Sequence, residues 1–307
     1  MLKEYARKLE WNYGKKEAFK FKNDNTFVKI LETVREDDVF VIQTTMPPVD
    51  ERIMELLITI DALKRASAKR ITAVLPYYPY ARSDKKDQPR VPITAKLVAD
   101  LLVKAGANRV LSCDLHNPAI QGFIEVPSDQ LRAKDILTSY FRPIANANQE
   151  NVVVVATDAG SSKNAYKYAR RLGTELALID KRRDGNDDKA IAGHVVGDVV
   201  GKTCLIFDDE IDTAGSMMEA VRTLSENGAK EIYAACTHGI LSGEAIERIQ
   251  NSTLKELIIT NTVPLPPEKQ IDKIKVLDIA PLFGEAIKKI HLGEGVGDLF
   301  EDHKMEF

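Results

Sequence analysis

Thr203-Cys204-Leu205-Ile206-Phe207 runs directly into Asp208-Asp209-Glu210-Ile211-Asp212-Thr213-Ala214-Gly215-Ser216, and a helix-like stretch from Met217 to Leu224 follows. An apolar run that ends in acids and small residues and then opens a helix is a strand–turn–helix step. Two adjacent carboxylates at the end of a buried strand can accept the vicinal hydroxyls of a sugar. The small residues beyond them let consecutive backbone N–H groups turn inward where the helix begins. Unpaired amides and the helix dipole both favour an anion there, so the same corner suits a phosphate. Hydroxyls on one side and phosphate on the other spell a ribose 5-phosphate site. The plainer alternative is a solvated corner carrying an incidental acidic cluster.

Outward from this corner the order is regular. Strand-like runs stand at 39–44, 71–76, 110–114, 152–157, 176–180, 203–208, 232–237 and 257–260. Helix-period stretches lie between most of them, at 51–66, 94–105, 163–172 and 216–227, with apolar positions three and four apart. Alternation of this kind predicts an α/β protein whose parallel sheets are covered by helices, with ligands at the carboxyl ends of strands. A faint repeat supports two similar halves. Gly106-Ala107 with His116 parallels Gly228-Ala229 with His238, each following a Thr-Ala pair, at Thr94-Ala95 and Thr213-Ala214. Pro143 to Glu150 reads most like the linker, giving domains 1–142 and 143–307, with the last helix packing back on the first domain.

At 307 residues the chain can bury a large core and hold two domains. It is 44% hydrophobic and 29% charged, with a net charge of −3, so nothing recruits nucleic acid electrostatically. The apolar runs are too short to span a bilayer, and Met1 to Tyr5 lacks the core of a signal peptide. Cys113, Cys204 and Cys236 lie far apart in apolar runs, which suits reduced, buried thiols and a cytoplasmic location.

Four further clusters look chemical. Tyr80-Ala81-Arg82-Ser83-Asp84-Lys85-Lys86-Asp87-Gln88-Pro89-Arg90 is dense in cations that can grip polyphosphate, or is a solvated loop. Asp114-Leu115-His116 places two possible ligands of a divalent ion at a strand end, or is structural. Thr157-Asp158-Ala159-Gly160-Ser161-Ser162 can hold Mg²⁺ or water, or can cap the next helix. Asp180-Lys181-Arg182-Arg183-Asp184-Gly185-Asn186-Asp187-Asp188 suggests a loop that closes cations over a phosphoryl group, or an exposed connector.

Together the five clusters resemble one family, the ribose-phosphate diphosphokinases, also called phosphoribosyl pyrophosphate synthetases. The likeness runs from about Phe21 to Phe300. It includes Tyr80-Ala81-Arg82, Pro92 to Ala99, Asp114-Leu115-His116, Ile120-Gln121-Gly122-Phe123, Asp180-Lys181-Arg182-Arg183, Asp209 to Gly215, Thr237-His238-Gly239 and Ala280-Pro281-Leu282. The resemblance implies two tandem phosphoribosyltransferase-like domains, each a mainly parallel sheet flanked by helices. It implies transfer of the diphosphoryl group of ATP to the anomeric hydroxyl of ribose 5-phosphate, with AMP released. Lys181 and Arg183 would be catalytic. Asp208, Asp209, Asp212, Thr213, Ala214, Gly215 and Ser216 would bind ribose 5-phosphate. Phe21, Asn23, Asn25, Arg82, Ser83 and Asp87 would bind ATP, with the segment 21–25 serving a neighbouring subunit. His116, Asp158 and Asp114 would belong to Mg²⁺ sites. The implied partners are ATP, ribose 5-phosphate and further copies of the chain, with no nucleic acid and no membrane.

The chain also departs from the family pattern. It starts at a helical stretch, Lys3 to Leu9, where the family usually opens with a strand ending Phe-Ser-Gly. Asn25 stands for a usual Glu and Ser83 for a usual Gln, both at the nucleotide, so the donor range stays open. The tail Glu294-Gly295-Val296-Gly297-Asp298-Leu299-Phe300 replaces Glu-Ser-Val-Ser-x-Leu-Phe of phosphate-activated, ADP-inhibited members. Two hydroxyls are lost there and a carboxylate is gained. Two other readings compete: a non-catalytic regulatory homologue, and a phosphoribosyltransferase sharing only the 208–216 loop. Release of AMP separates the first reading from both.

Overall fold

The computed structural model describes residues 11–180 and 194–299. Expectations placed on Lys3 to Leu9, and on Lys181 and Arg183, lie outside the described residues. The chain divides into two compact units, one of residues up to 132 together with those from 278 onward, the other of residues 133–277.

The first unit opens with a hairpin, β1 (Lys16–Lys20) against β2 (Thr26–Ile30). A parallel sheet follows in the order β3 (Asp38–Ile42), β4 (Arg70–Leu75), β5 (Arg109–Cys113), β6 (Ser128–Leu131). Helices α1 (Val49–Arg65) and α2 (Thr94–Ala105) supply apolar stripes, Ile53, Leu56, Ile60 and Leu63 on one, Ala95, Val98, Ala99 and Leu102 on the other. These pack with Ile71, Ala73, Leu75 and Val110 of the sheet into one core. Gly106 ends α2 at φ +129, a conformation that side chains avoid, and a Cβ there would strike Lys64 at 2.7 Å.

The second unit carries α3 (Lys134–Ala147), β7 (Val152–Ala156), α4 (Ser162–Leu172), β8 (Glu175–Asp180), β9 (His194–Val196), β10 (Thr203–Ile211), α5 (Gly215–Glu226), β11 (Glu231–Gly239), α6 (Ala245–Asn251), β12 (Glu256–Thr260) and β13 (Ile274–Leu277). Its sheet runs β13-β12-β11-β10-β7-β8-β9, parallel except for the β8–β9 edge. The period-two rule explains the layers. Val153, Val155, Cys204, Ile206, Ile232, Ala234, Leu257 and Ile259 share one core with Met217, Ala220, Val221 and Leu224 of α5. Their alternates, Val152, Val154, Leu205, Phe207, Tyr233, Ala235 and Ile258, pack instead with Leu137, Phe141 and Ala145 of α3 and with Tyr168 and Leu172 of α4. Phe207 is the keystone of that second face. Tyr168 stacks on it at 3.9 Å and Phe141 meets it edge-on at 5.4 Å. Truncating Phe207 to Ala would cost about 3–5 kcal/mol.

The expected linker differs from the structure. Pro143 lies inside α3, and Gln149 to Asn151 forms a 3-10 turn, so 143–150 is no linker. The apolar stripe Leu137, Phe141, Ala145 keeps that helix packed although Pro143 cannot donate a backbone N–H. The last helix, α7 (Ala280–Leu292), belongs to the first unit. Arg70 holds it there, donating through Nη2 to Ile290 O at 2.9 Å and through Nε to Asp38 at 2.7 Å. Asp38 also meets His291 Nδ1 at 2.9 Å. Among the described residues no helix is long and apolar enough to cross a membrane. All three cysteines are buried and outside any disulfide, and burial pushes the Cys204 and Cys236 thiols up.

Candidate active site

β10 does not stop at Asp208. It continues to Ile211 because β11 runs alongside, pairing Asp208 with Cys236, Glu210 with His238 and Ile211 with Gly239. The acid pair expected at the strand's end therefore lies within the strand. On its other side Gly239 leaves room for Ile259 of β12, since a Cβ there would come within 2.8 Å of Ile259 Cδ1. Regular alternation would send Asp208 and Asp209 to opposite faces. Asp208 turns along the strand instead. Its Oδ1 accepts the Asp209 backbone N–H at 2.9 Å, and its carboxyl lies against that of Asp209. Burial, and then the Asp209 carboxyl, hold Asp208 well above the ordinary carboxylate range. A carboxyl kept protonated in this way can both donate to a sugar hydroxyl and accept from one.

The loop Asp212-Thr213-Ala214 joins β10 to α5. Ala214 takes φ +60, a left-handed turn that is uncommon for a residue with a Cβ. Thr213, Gly215 and Ser216 are exposed, while Ala214 and Met217 turn inward. The first-turn amides of α5 have no carbonyl one turn earlier to bond, and the positive end of the helix dipole lies with them. Consecutive amides, a dipole and two hydroxyls thus meet at one exposed corner. An anion suits it.

Asp158 follows β7 in the same unit. Its Oδ1 accepts the Ser161 N–H at 2.7 Å, and Ser161 Oγ lies 3.2 Å from the Asp158 N–H. This reciprocal pair closes the turn before α4, although no side chain caps the first amides of that helix, and Asp158 is exposed.

In the first unit, Arg82 and Asp87 are exposed on an irregular arm. Ser83 is half-buried, and its Oγ accepts the Thr94 N–H at 3.4 Å while its carbonyl accepts the Ala95 N–H at 3.1 Å. It therefore closes the first turn of α2. Asp84 is buried and accepts from Asn117 Nδ2 at 2.7 Å, tying the arm to the loop that bears His116. His116 itself is exposed. Asp114 stands at φ +35 just past β5, with its Oδ1 3.5 Å from Arg132 Nη1. The repeat noted in the sequence breaks here. His238 is buried within β11 with Nδ1 2.9 Å from Thr262 Oγ1, unlike the exposed His116.

Phe21, Asn23 and Asn25 form the turn of the β1–β2 hairpin, with Phe21 N–H bonded to Asn25 O at 2.9 Å. Phe21 is 49% exposed and clusters with Phe19 at 5.1 Å and Phe27 at 5.6 Å. Exposed aromatic faces of this kind suit a flat ring.

Among the described residues no three His, Cys, Asp or Glu side chains are gathered to hold a metal ion. Mg²⁺ does not need them, because it keeps several waters and takes one or two protein ligands beside substrate phosphates. Of the residues expected to hold Mg²⁺, His116 and Asp158 are exposed, while Asp114 Oδ1 lies 3.5 Å from Arg132 Nη1. Sequence reading missed Ser242 and Arg248, which bind the 211–214 turn from the segment after β11. Nothing in their spacing to the loop signals this, since the contact arises only when β11 lies beside β10.

Comparison with known proteins agrees with this architecture. Residues 1–106 match the N-terminal domain of ribose phosphate pyrophosphokinase, and residues 193–301 match the phosphoribosyl synthetase-associated domain. The ribose-phosphate pyrophosphokinase of Oceanobacillus iheyensis is 51% identical over 298 residues, covering 97% of this chain and 93% of the relative. That of Bacillus caldolyticus is 50% identical over 301 residues, covering 98% and 94%. The crystal structure of phosphoribosylpyrophosphate synthetase from Mycobacterium smegmatis aligns with a TM-score of 0.89 at 45% identity, over 95% of each chain. With half of its residues shared across nearly its whole length, this chain belongs to the ribose-phosphate pyrophosphokinase family.

Proposed function

We propose that the protein transfers the diphosphoryl group of ATP to the anomeric hydroxyl of ribose 5-phosphate, giving 5-phosphoribosyl 1-pyrophosphate and AMP. The observation that carries this reading is the likeness to ribose-phosphate pyrophosphokinases over nearly the whole chain, together with an acid strand that runs into an anion-suited loop. The sugar oxygen bonds to the β-phosphorus, and the bond from that phosphorus to the bridging oxygen breaks. The bridging electrons leave with AMP, and the hydroxyl proton passes to solvent.

The residues take distinct parts. Asp208 and Asp209 hold the ribose hydroxyls and so aim the anomeric oxygen. Asp212, Thr213, Ala214, Gly215 and Ser216 hold the 5-phosphate at the start of α5. Arg82 meets the ATP phosphates, and Ser83 and Asp87 on the same arm belong to the ATP site away from them. Phe21 stacks on the base, with Asn23 and Asn25 at its edge, on a neighbouring copy of the chain. The exposed aromatic cluster of the hairpin supports that sharing. Lys181 and Arg183 meet the β- and γ-oxygens as charge builds on them. His116 and Asp158 would each belong to a Mg²⁺ site, where the ion would supply neutralising charge to the polyphosphate. Three buried reduced thiols support a cytosolic location.

A coupled assay for AMP tests the reading. Mg²⁺-dependent AMP formation that requires ribose 5-phosphate is the expected result. ADP as the co-product would mean γ-phosphoryl transfer and would overturn it.

A further inference from the structure

The segment that follows β11 grips the 211–214 turn by its carbonyls. Ile211 O accepts the Ile240 N–H at 3.0 Å and the Leu241 N–H at 3.2 Å. Asp212 O accepts the Ser242 N–H at 3.1 Å, and Ser242 Oγ also donates to Asp212 Oδ1. Thr213 O accepts from Arg248 Nη1 at 2.9 Å, and Glu244 Oε2 holds Arg248 Nη2 at 2.8 Å. Three successive carbonyls therefore face one segment. In a planar trans peptide the C=O and N–H point in opposite directions. The N–H groups of Asp212, Thr213 and Ala214 consequently point away from that segment. The left-handed Ala214 completes the kind of turn in which consecutive amides line a concave anion nest.

We propose that Ser242 and Arg248 are positioning residues that fix these peptide planes and so preorganise the loop for the 5-phosphate. This rests on the reading of 208–216 as the ribose 5-phosphate site. Two further features support it. Leu241 is fully buried at φ +51, a strained backbone that persists only where its surroundings over-determine it. Arg248 is 41% exposed, and the partners found for its guanidinium are the Thr213 carbonyl and the carboxylate of Glu244. Its polar grip falls on the loop.

Calorimetry on the full chain tests the proposal with ribose 5-phosphate and ATP as separate titrants. Arg248→Met keeps the apolar stem and removes the donors. It should raise the Kd for ribose 5-phosphate about tenfold or more, because charge-assisted donors to the phosphate are no longer held in place. The Kd for ATP should stay within about twofold of wild type, and Arg248→Lys, which still offers a donor to Thr213 O, should recover much of the loss. Ser242→Ala, which keeps the backbone donor, should show a smaller shift in the same direction and carries the comparison if Arg248→Met does not fold. A purely structural role would lower the melting temperature without separating the two ligands. Unchanged ribose 5-phosphate affinity in Arg248→Met and Ser242→Ala, beside normal wild-type binding, overturns the proposal and leaves the site reading standing. Failure of the wild-type protein to bind ribose 5-phosphate overturns the site reading itself.

Discussion

The Asp208 carboxyl lies against that of Asp209 and accepts its neighbour's backbone N–H at 2.9 Å, so two acids share a half-buried patch that suits one negative charge better than two. In the unfolded chain Asp208 ionises at an ordinary carboxylate value, whereas in the folded protein it keeps its proton to higher pH. Between those values the folded state binds more protons than the unfolded state. Stability is therefore full below the unfolded value and declines as pH rises toward the folded one, by at most about 1.4 kcal/mol per pH unit for one group. Asp208→Asn removes that decline. Melting curves from about pH 4 to pH 7 should be flatter for the variant than for wild type, while its affinity for ribose 5-phosphate falls. Parallel curves for the two proteins would contradict the assignment.

Lys181→Ala should reduce kcat by on the order of 10²–10³ and leave the KM for both substrates nearly unchanged. A cation that closes on the transferring group meets most of its charge in the transition state. A raised KM with an intact kcat would instead mark uniform ground-state binding and remove Lys181 from catalysis.

Much of the second unit was legible from residues alone. Val152 to Ala156 and Cys204 to Phe207 are apolar without interruption, and strands covered on both faces must be. The hairpin was not legible, because β1 is exposed along its whole length and shows no apolar alternation. β6, β9 and β13 are three or four residues long, too short for any period to register. At the site, the composition of the 208–216 loop pointed to an anion. Its support by Ser242 and Arg248 did not, because that contact depends on strand order and not on local spacing. Pro143 misled for the opposite reason. Proline reads as a breaker locally, but Phe141 is buried beneath Phe207 and holds the helix in place.

Ser83 and Arg82 are neighbours with different expected effects. Ser83→Ala removes the acceptor for the Thr94 N–H, a bond of 3.4 Å, and should lower stability by about 0.5–1 kcal/mol. Arg82→Ala, at an exposed position, should raise the KM for ATP with a smaller effect on melting. Denaturant melts and ATP saturation curves on both variants separate the roles. A large loss of stability in Arg82→Ala without any change in the KM for ATP would make that residue structural.

The tail is where the sequence leads us to expect altered regulation. Asp298 Oδ2 lies 2.9 Å from Lys289 Nζ, and that contact holds the Asp298 carboxyl below its ordinary range, so it stays ionised at neutral pH. The tail thus offers Gly295 and Gly297 in place of two hydroxyls, and a lysine already paired with an internal carboxylate. An added phosphate would have to displace that carboxylate or sit beside it, and like charges oppose such a neighbour. We expect inorganic phosphate to activate weakly and ADP to inhibit by competing with ATP. Asp298→Ser frees Lys289 and restores a hydroxyl nearby, so phosphate activation should strengthen in the variant. Initial rates across ADP, ATP and phosphate concentrations decide the matter. ADP inhibition of the wild-type protein that persists at saturating ATP and is relieved by phosphate would mean that a separate anion site survives despite Asp298.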